Sequence, residues 1–448
     1  MYITRFKKDI LKLLISSVFI KALQMIILPI YTREFVLEAF GYKALFSSLS
    51  GFIGVFCCLK YEQAILISRD EESTHNLFFL SSLITLLISL VIVLIISLDI
   101  VRFFPNSLLW IDNIKWYLPF DFLLNGLFIL LNQWNTKLKL FSLISISNVL
   151  SSIINIVLTI NYLFLNLTNE YTFIINAVHA KFLTILVIFF ILNYKKKLPN
   201  LKNFSIQKIR SLLKRYGNFP KYGLPAGLLG NASFEIPTLL MGIFFSSSNL
   251  GLFSIAKQII TIPITFIQEI KFAVAEKSAS SNSSGDLPNL ILNFLKKTIF
   301  IFSSIYLLLA LYGNFYFQFI FGKEYQIAGN YAQILSISGY FLLLSTPMIP
   351  LFSILEREDL RLRFAIFNII SRVLPIIIFG LIGDFKLVVI CIGISEAIVY
   401  LVKTEISLKM ISLSFKDISS FIFNAFYESF IPVLIIGSFL FLEINKYI

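Results

Sequence analysis

Charge is scarce in this chain. Of its 448 residues only 14% are Asp, Glu, Lys or Arg, while 57% are hydrophobic and the mean hydropathy is +0.85. So few charges cannot clothe the surface of a soluble chain of this length. A soluble enzyme and a nucleic-acid-binding domain are therefore both excluded. The net charge of +13 calls for a different partner than nucleic acid. Histidine is scarcer still, with only His75 and His179. The three cysteines, Cys57, Cys58 and Cys391, all fall in apolar stretches, and two adjacent thiols make a poor metal pair, so buried packing is expected. No Cys/His metal spacing, phosphate-cradling glycine loop or nucleophile elbow stands in a polar segment. A short cleavable leader is also missing, so the first apolar run is expected to be retained.

Long apolar runs are abundant instead. Stretches of about 20 residues fall near 10–31, 39–59, 76–98, 116–134, 142–163, 172–193, 222–245, 250–273, 297–317, 329–353, 364–383 and 387–408. Each is long enough to cross a bilayer as a helix. The expectation is an all-α polytopic membrane protein of about twelve transmembrane helices. Lys and Arg crowd alternate connections, whereas the opposite set carries only Arg33, Arg102, Lys115, Lys323 and Lys386. This bias puts the N-terminus on the cytoplasmic side and accounts for the positive net charge.

The most basic connection, Tyr194–Lys221, divides the runs into six and six, giving an N-terminal lobe at 1–193, a linker at 194–221 and a C-terminal lobe at 222–410. Its middle, Phe204–Leu213, has apolar residues at helical spacing and suits the membrane surface. The Ser-, Asn- and Gly-rich stretch Glu276–Pro288 reads as a flexible loop. The lobes echo each other: helix, tight turn, glycine (Gly41 or Gly251), helix, then a basic exit. Six helices return the chain to its starting side, so the repeats are parallel. The tail, 411–448, is open between an interfacial segment and a thirteenth crossing.

Ionisable residues inside apolar runs are costly and are candidates for function. The cations are Lys21, Lys43, Lys181, Lys257 and Arg372, and the acids Asp121, Glu235 and Glu396. Polar neighbours extend some of them into stripes: Gln24 with Lys21, Asn125 and Asn132 with Asp121, and Asn231 with Glu235; Gln258, next to Lys257, is a further candidate for polar lining. Pairing between helices and snorkelling to headgroups are the competing roles. The 48 phenylalanines are too many for a sugar-stacking platform and are expected in packing and toward lipid.

Two motifs carry a resemblance. They are Lys60-Tyr61-Glu62-Gln63-Ala64-Ile65, and the run from Phe219-Pro220-Lys221-Tyr222 through Pro225-Ala226, Asn231 and Pro237 to Gly251-Leu252-Phe253-Ser254-Ile255-Ala256-Lys257-Gln258 and Pro263. The chain resembles the Wzx-type polysaccharide (O-antigen) flippases of the multidrug/oligosaccharidyl-lipid/polysaccharide exporter superfamily. The resemblance implies a V-shaped, MATE-like arrangement of two six-helix lobes around a central cavity. It also implies flipping of an undecaprenyl-diphosphate-linked oligosaccharide across the bacterial inner membrane, without a catalytic residue or a cofactor. The cations would hold the headgroup, and the acids would serve any coupling to a proton or sodium gradient. A polysaccharide polymerase and a chain-length regulator are the implied protein partners, and no nucleic acid is. A small-molecule exporter of the multidrug branch is the alternative. A membrane glycan polymerase is disfavoured by short external connections, the longest near Asp99–Lys115.

Overall fold

A computed structural model describes residues 2–98, 106–200, 204–284 and 286–445, with side chains outside 2–14, 106–109, 268–284, 440–441 and 443–445. The described residues are helical and without strands. In chain order the α-helices are α1 (Tyr2–Glu34), α2 (Leu37–Gly54), α3 (Tyr61–Ile67), α4 (Glu71–Ser97), α5 (Tyr117–Lys137), α6 (Phe141–Phe164), α7 (Thr172–Tyr194), α8 (Ile206–Arg215), α9 (Leu224–Phe244), α10 (Ser247–Ser284), α11 (Leu287–Phe321), α12 (Gln326–Ser345), α13 (Ile349–Ile354), α14 (Glu358–Ile382), α15 (Phe385–Lys409) and α16 (Lys416–Asn445).

Eleven helices among the described residues are long and apolar enough to cross a membrane. The protein is a multi-pass membrane protein. The runs expected at 39–59 and 116–134 form α2 and α5, which fall short of that apolar composition. Serines and glycines dilute α2, and Asp121, Asn125 and Asn132 dilute α5. The tail left open by sequence forms one helix, α16, of which Lys416–Phe439 has the length and composition to cross. The stretch expected as a loop at 276–288 is instead helical as far as Ser284. Arg102 and part of the Asp99–Lys115 connection lie outside the described residues.

Local chemistry sets the helix ends. Asp70 caps α4, its carboxylate accepting from the Ser73 N–H at 2.9 Å, with Glu71 and Glu72 in the first turn. Asp384 caps α15 in the same way through Leu387 N–H at 3.0 Å. A π turn over Phe219–Gly223 leads directly into α9. Pro29, Pro237, Pro263, Pro375 and Pro432 all sit inside helices, as membrane helices tolerate.

By packing, the chain separates into two compact units. One comprises Met1–Ile27 with Tyr42–Ile243, the other Leu28–Gly41 with Phe244–Ile448. These units differ from the halves read off the repeat, because α9 packs with the first and 28–41 with the second. Contacts at close range explain both assignments. A Cβ built on Gly242 of α9 would lie 2.3 Å from Leu45 Cδ2, and one built on Gly41 would lie 1.9 Å from the Ser247 carbonyl oxygen. In the first unit α4 packs on α5 and α6 on α7. In the second, α12 is the innermost helix, flanked by α10, α11 and α15. Small residues let its backbone approach α11, as at Gly313 and Gly329.

Candidate functional site

The first unit encloses a cavity of about 420 Å³ between α2, α5, α7 and α9. Its polar lining comes from Ser47, Ser50, Lys60, Asp121, Asn125, Lys181 and Asn231. Asp121 and Asn125 stand one helical turn apart on α5, so both project toward the same space. Lys181 of α7 closes the group: its Nζ donates to Asp121 Oδ1 at 2.7 Å and to Asn125 Oδ1 at 2.6 Å. Asn125 Nδ2 donates to Asp121 Oδ2 at 2.8 Å and to Ser50 Oγ at 2.9 Å. The Ser50 hydroxyl donates to the Asp121 carboxylate in turn. Asp121 is buried while the Lys181 side chain stays 23% exposed, so the pair faces the cavity through its cation.

Of the other acids and amides, Asn231 Nδ2 donates to the Gly51 carbonyl at 3.2 Å. Glu235, one turn further along α9, lies against Gly51, where a Cβ would come within 2.8 Å of its Oε1. Asn132, on α5, does not line the cavity and accepts at its carbonyl from the Thr136 hydroxyl at 2.8 Å. Lys21 reaches Gln24 Oε1 on the same helix at 3.5 Å. Lys43 of α2 lies 5.1 Å from the centre of the Phe173 ring, a cation–π contact.

Four expected site residues fall in the second unit. Lys257 lies 5.8 Å from the Phe253 ring centre on its own helix, with Gln258 half-buried beside it. Arg372 of α14 forms an ion pair with Glu396 of α15 through Nε, and its Nη2 donates to the Tyr400 hydroxyl at 2.7 Å. The side chains of this pair are 5% and 13% exposed. It ties two packed helices together.

Sequence reading missed Ser50, Gly51 and Lys60 as site residues. The signal for the first two was the face of small residues Ser47, Ser50, Gly51 and Gly54 on α2. The signal for Lys60 is its place in the Lys60–Ile65 motif, at the end of an apolar run. Among the described residues no group of His, Cys, Asp or Glu could hold a metal ion.

A polar, ion-paired cavity inside a bundle of apolar helices defines a class, that of polytopic helical membrane proteins. Comparison with solved structures agrees. The chain is similar to a multidrug resistance MATE family transporter of the MOP superfamily in an inward-facing conformation, at 16% identity and a TM-score of 0.67, covering 88% of this chain and 94% of that one. It is similar to the lipid II flippase MurJ in an inward closed conformation at 14% identity and a TM-score of 0.64, covering 100% and 98%. A MOP superfamily transporter from Pyrococcus furiosus, described as having a binding pocket of reverse polarity, matches at 18% identity and a TM-score of 0.58, covering 91% and 96%. No curated protein sequence matches. The family model described as "Polysaccharide biosynthesis protein" matches residues 30–329, and the chain belongs to that family.

Proposed function

We propose that the protein flips an undecaprenyl-diphosphate-linked oligosaccharide from the cytoplasmic to the external leaflet by alternating access, without covalent chemistry. The observation that carries the reading is the cavity of the first unit, where Lys181, Asp121, Asn125 and Ser50 form one hydrogen-bonded network among apolar helices. Burying an ionisable residue at membrane depth costs about 3 kcal/mol on insertion scales. A cavity that keeps several is suited to a polar headgroup whose lipid tail stays in the bilayer. Membership of a polysaccharide biosynthesis family supports the choice of a glycan for that headgroup.

In this reading Lys181 is the candidate headgroup contact on the cavity, with Asn125 and Asn231 as polar lining, and Lys21 beside Gln24, Lys43, and Lys257 beside Gln258 are further candidates. Asp121, Glu235 and Glu396 are the candidate sites for coupling to a proton or sodium gradient. The lobes at 1–193 and 222–410, the bacterial inner membrane, the cytoplasmic N-terminus and the polymerase and chain-length partners belong to the same proposal. A small-molecule exporter has less use for a cavity bearing two lysines.

The test is restoration of surface polysaccharide in a strain lacking its own flippase, normalised to membrane-inserted protein. The wild type is expected to restore it, and Lys181→Ala to reduce it at least tenfold at equal insertion. Restoration by Lys181→Ala at the wild-type level would remove the cavity from the mechanism. No restoration by the wild type would refute the substrate.

A further inference from the structure

Two lysines line the cavity of the first unit, and they are not equivalent. Lys181 is neutralised by Asp121 and donates a hydrogen bond to Asn125. Lys60 has neither an ion pair nor a hydrogen bond from its Nζ among the described residues, and Glu62, two positions on, is buried with its Oε2 unpartnered. The backbone goes to some trouble to present this side chain. Helix α2 stops at Gly54, and turns joined by the Leu59 N–H to Phe56 carbonyl bond (3.3 Å) and the Tyr61 N–H to Cys58 carbonyl bond (3.0 Å) lead to α3. Leu59 and Lys60 are both left-handed, at φ 47° and 67°, a region that side chains other than glycine rarely occupy. From there the Lys60 side chain runs along α9. A Cβ on Gly223 would touch its Cγ at 3.6 Å, and one on Gly227 would lie 2.8 Å from its Cε and 3.2 Å from its Nζ. Gly227 thus leaves room for the lysine to lie against the α9 backbone and bring its ammonium to the cavity.

We propose that Lys60 is the anion-binding residue of this cavity, and that its partner is a phosphate oxygen of the polyprenyl diphosphate. A cavity-lining cation held at a left-handed position, with no ion pair or hydrogen bond of its own among the described residues, is matched by an acceptor carried on the ligand, and phosphate oxygens are strong acceptors for an ammonium. The inference rests on the flippase reading for the identity of that lipid. The phosphate of an ordinary anionic phospholipid headgroup offers the same chemistry, so the experiment separates the two sources.

Undecaprenyl diphosphate and phosphatidylglycerol are each titrated against the purified full-length protein in detergent, using wild type, Lys60→Gly, Lys60→Arg and Gly227→Ala. Glycine suits the left-handed backbone, so Lys60→Gly is expected to melt at or above the wild-type temperature while binding the diphosphate about tenfold or more weakly. Lys60→Arg is expected to restore most of the affinity. Gly227→Ala keeps the charge but displaces the Lys60 Cε, and is expected to fall between wild type and Lys60→Gly. Equal diphosphate affinity in wild type and Lys60→Gly overturns the proposal. So does a loss confined to phosphatidylglycerol, which would assign the site to the bulk lipid. Flipping of lipid-linked oligosaccharide by the wild type in proteoliposomes is scored separately. Flipping by the wild type together with unchanged binding by Lys60→Gly sinks the Lys60 site and leaves the flippase reading intact. Weakened binding by Lys60→Gly with no flipping by the wild type does the reverse.

Discussion

Among the described residues two basic–acidic pairs stand inside the long helices, and they do different work. Lys181–Asp121 in the first unit lies on a cavity and shares its charge with Asn125 and Ser50. Arg372–Glu396 in the second unit is closed off, with Tyr400 completing it and Ser395 donating to the Ser371 carbonyl nearby at 2.5 Å. The residue types suit the roles. A planar guanidinium with several fixed donors can satisfy a carboxylate and a hydroxyl at once, whereas a lysine is a mobile point charge that exchanges partners easily. An ionisable residue in a membrane helix is therefore not by itself a mark of the substrate path; what surrounds the pair decides.

The largest effect that could break this comparison is on stability. Removing Arg372 leaves the half-buried Glu396 without its counter-charge, which for a fully buried pair costs on the order of 3–5 kcal/mol. Arg372→Ala is expected to lower the amount of folded, membrane-inserted protein and the melting temperature in detergent, and export in proportion. Arg372→Ala protein that inserts and melts like the wild type yet fails to export would instead make Arg372 a substrate contact, and the two pairs would be alike.

A smaller effect on folding and a larger one on transport is expected at the other pair. Asp121→Asn retains much of the hydrogen-bonded shape while removing one charge, and Lys181 can turn toward the cavity. Its melting temperature is expected to move little, while the dependence of export on a proton or sodium gradient disappears. Glu235→Gln and Glu396→Gln are measured beside it. Should Asp121→Asn keep full gradient dependence while either glutamine variant loses it, coupling belongs to that other acid.

The smallest effect comes from a carboxylate outside the membrane, which sets the baseline for both pairs. Hydrogen bonds from Ser73 hold the Asp70 carboxyl at about 2, below its ordinary 3.8. Because the folded value is the lower one, the stabilisation is fully present above about pH 4 and fades as pH falls toward 2. Asp70→Ala is expected to cost about 1 kcal/mol as a lost helix cap. In melts taken between pH 6 and 2, the gap between wild type and variant is expected to close at the acid end. A gap that persists unchanged at low pH would mean the cap does not act through its charge.

Much of this is legible in the sequence. Apolar runs of bilayer length dictate helices, because backbone groups in hydrocarbon must bond within their own segment. That reasoning is local, so it found most of the helices and the amphipathic stretch that became α8. It picked out α2 and α5 as well, whose composition is mixed because they bury polar residues inward, Ser48 and Ser50 on one and Asp121 on the other. It also ended α10 too early, because it read the serines and the asparagine before Gly285 as a loop by residue type, while the helix runs to Ser284.

The sequence by itself determined that this is a multi-pass helical membrane protein and that Asp121 and Asn125 share one face, because spacing along a helix is a property of the chain alone. Only the tertiary structure decided that Lys181 meets that face, that Arg372 is spent on Glu396 and Tyr400, and that Lys60 lies in the groove left by Gly227. Those pairings join residues 60, 24 and 167 positions apart (Asp121 to Lys181, Arg372 to Glu396, Lys60 to Gly227). Nothing in local periodicity fixes which helices become neighbours, so each charge acquired its role only when a second helix supplied, or withheld, its partner.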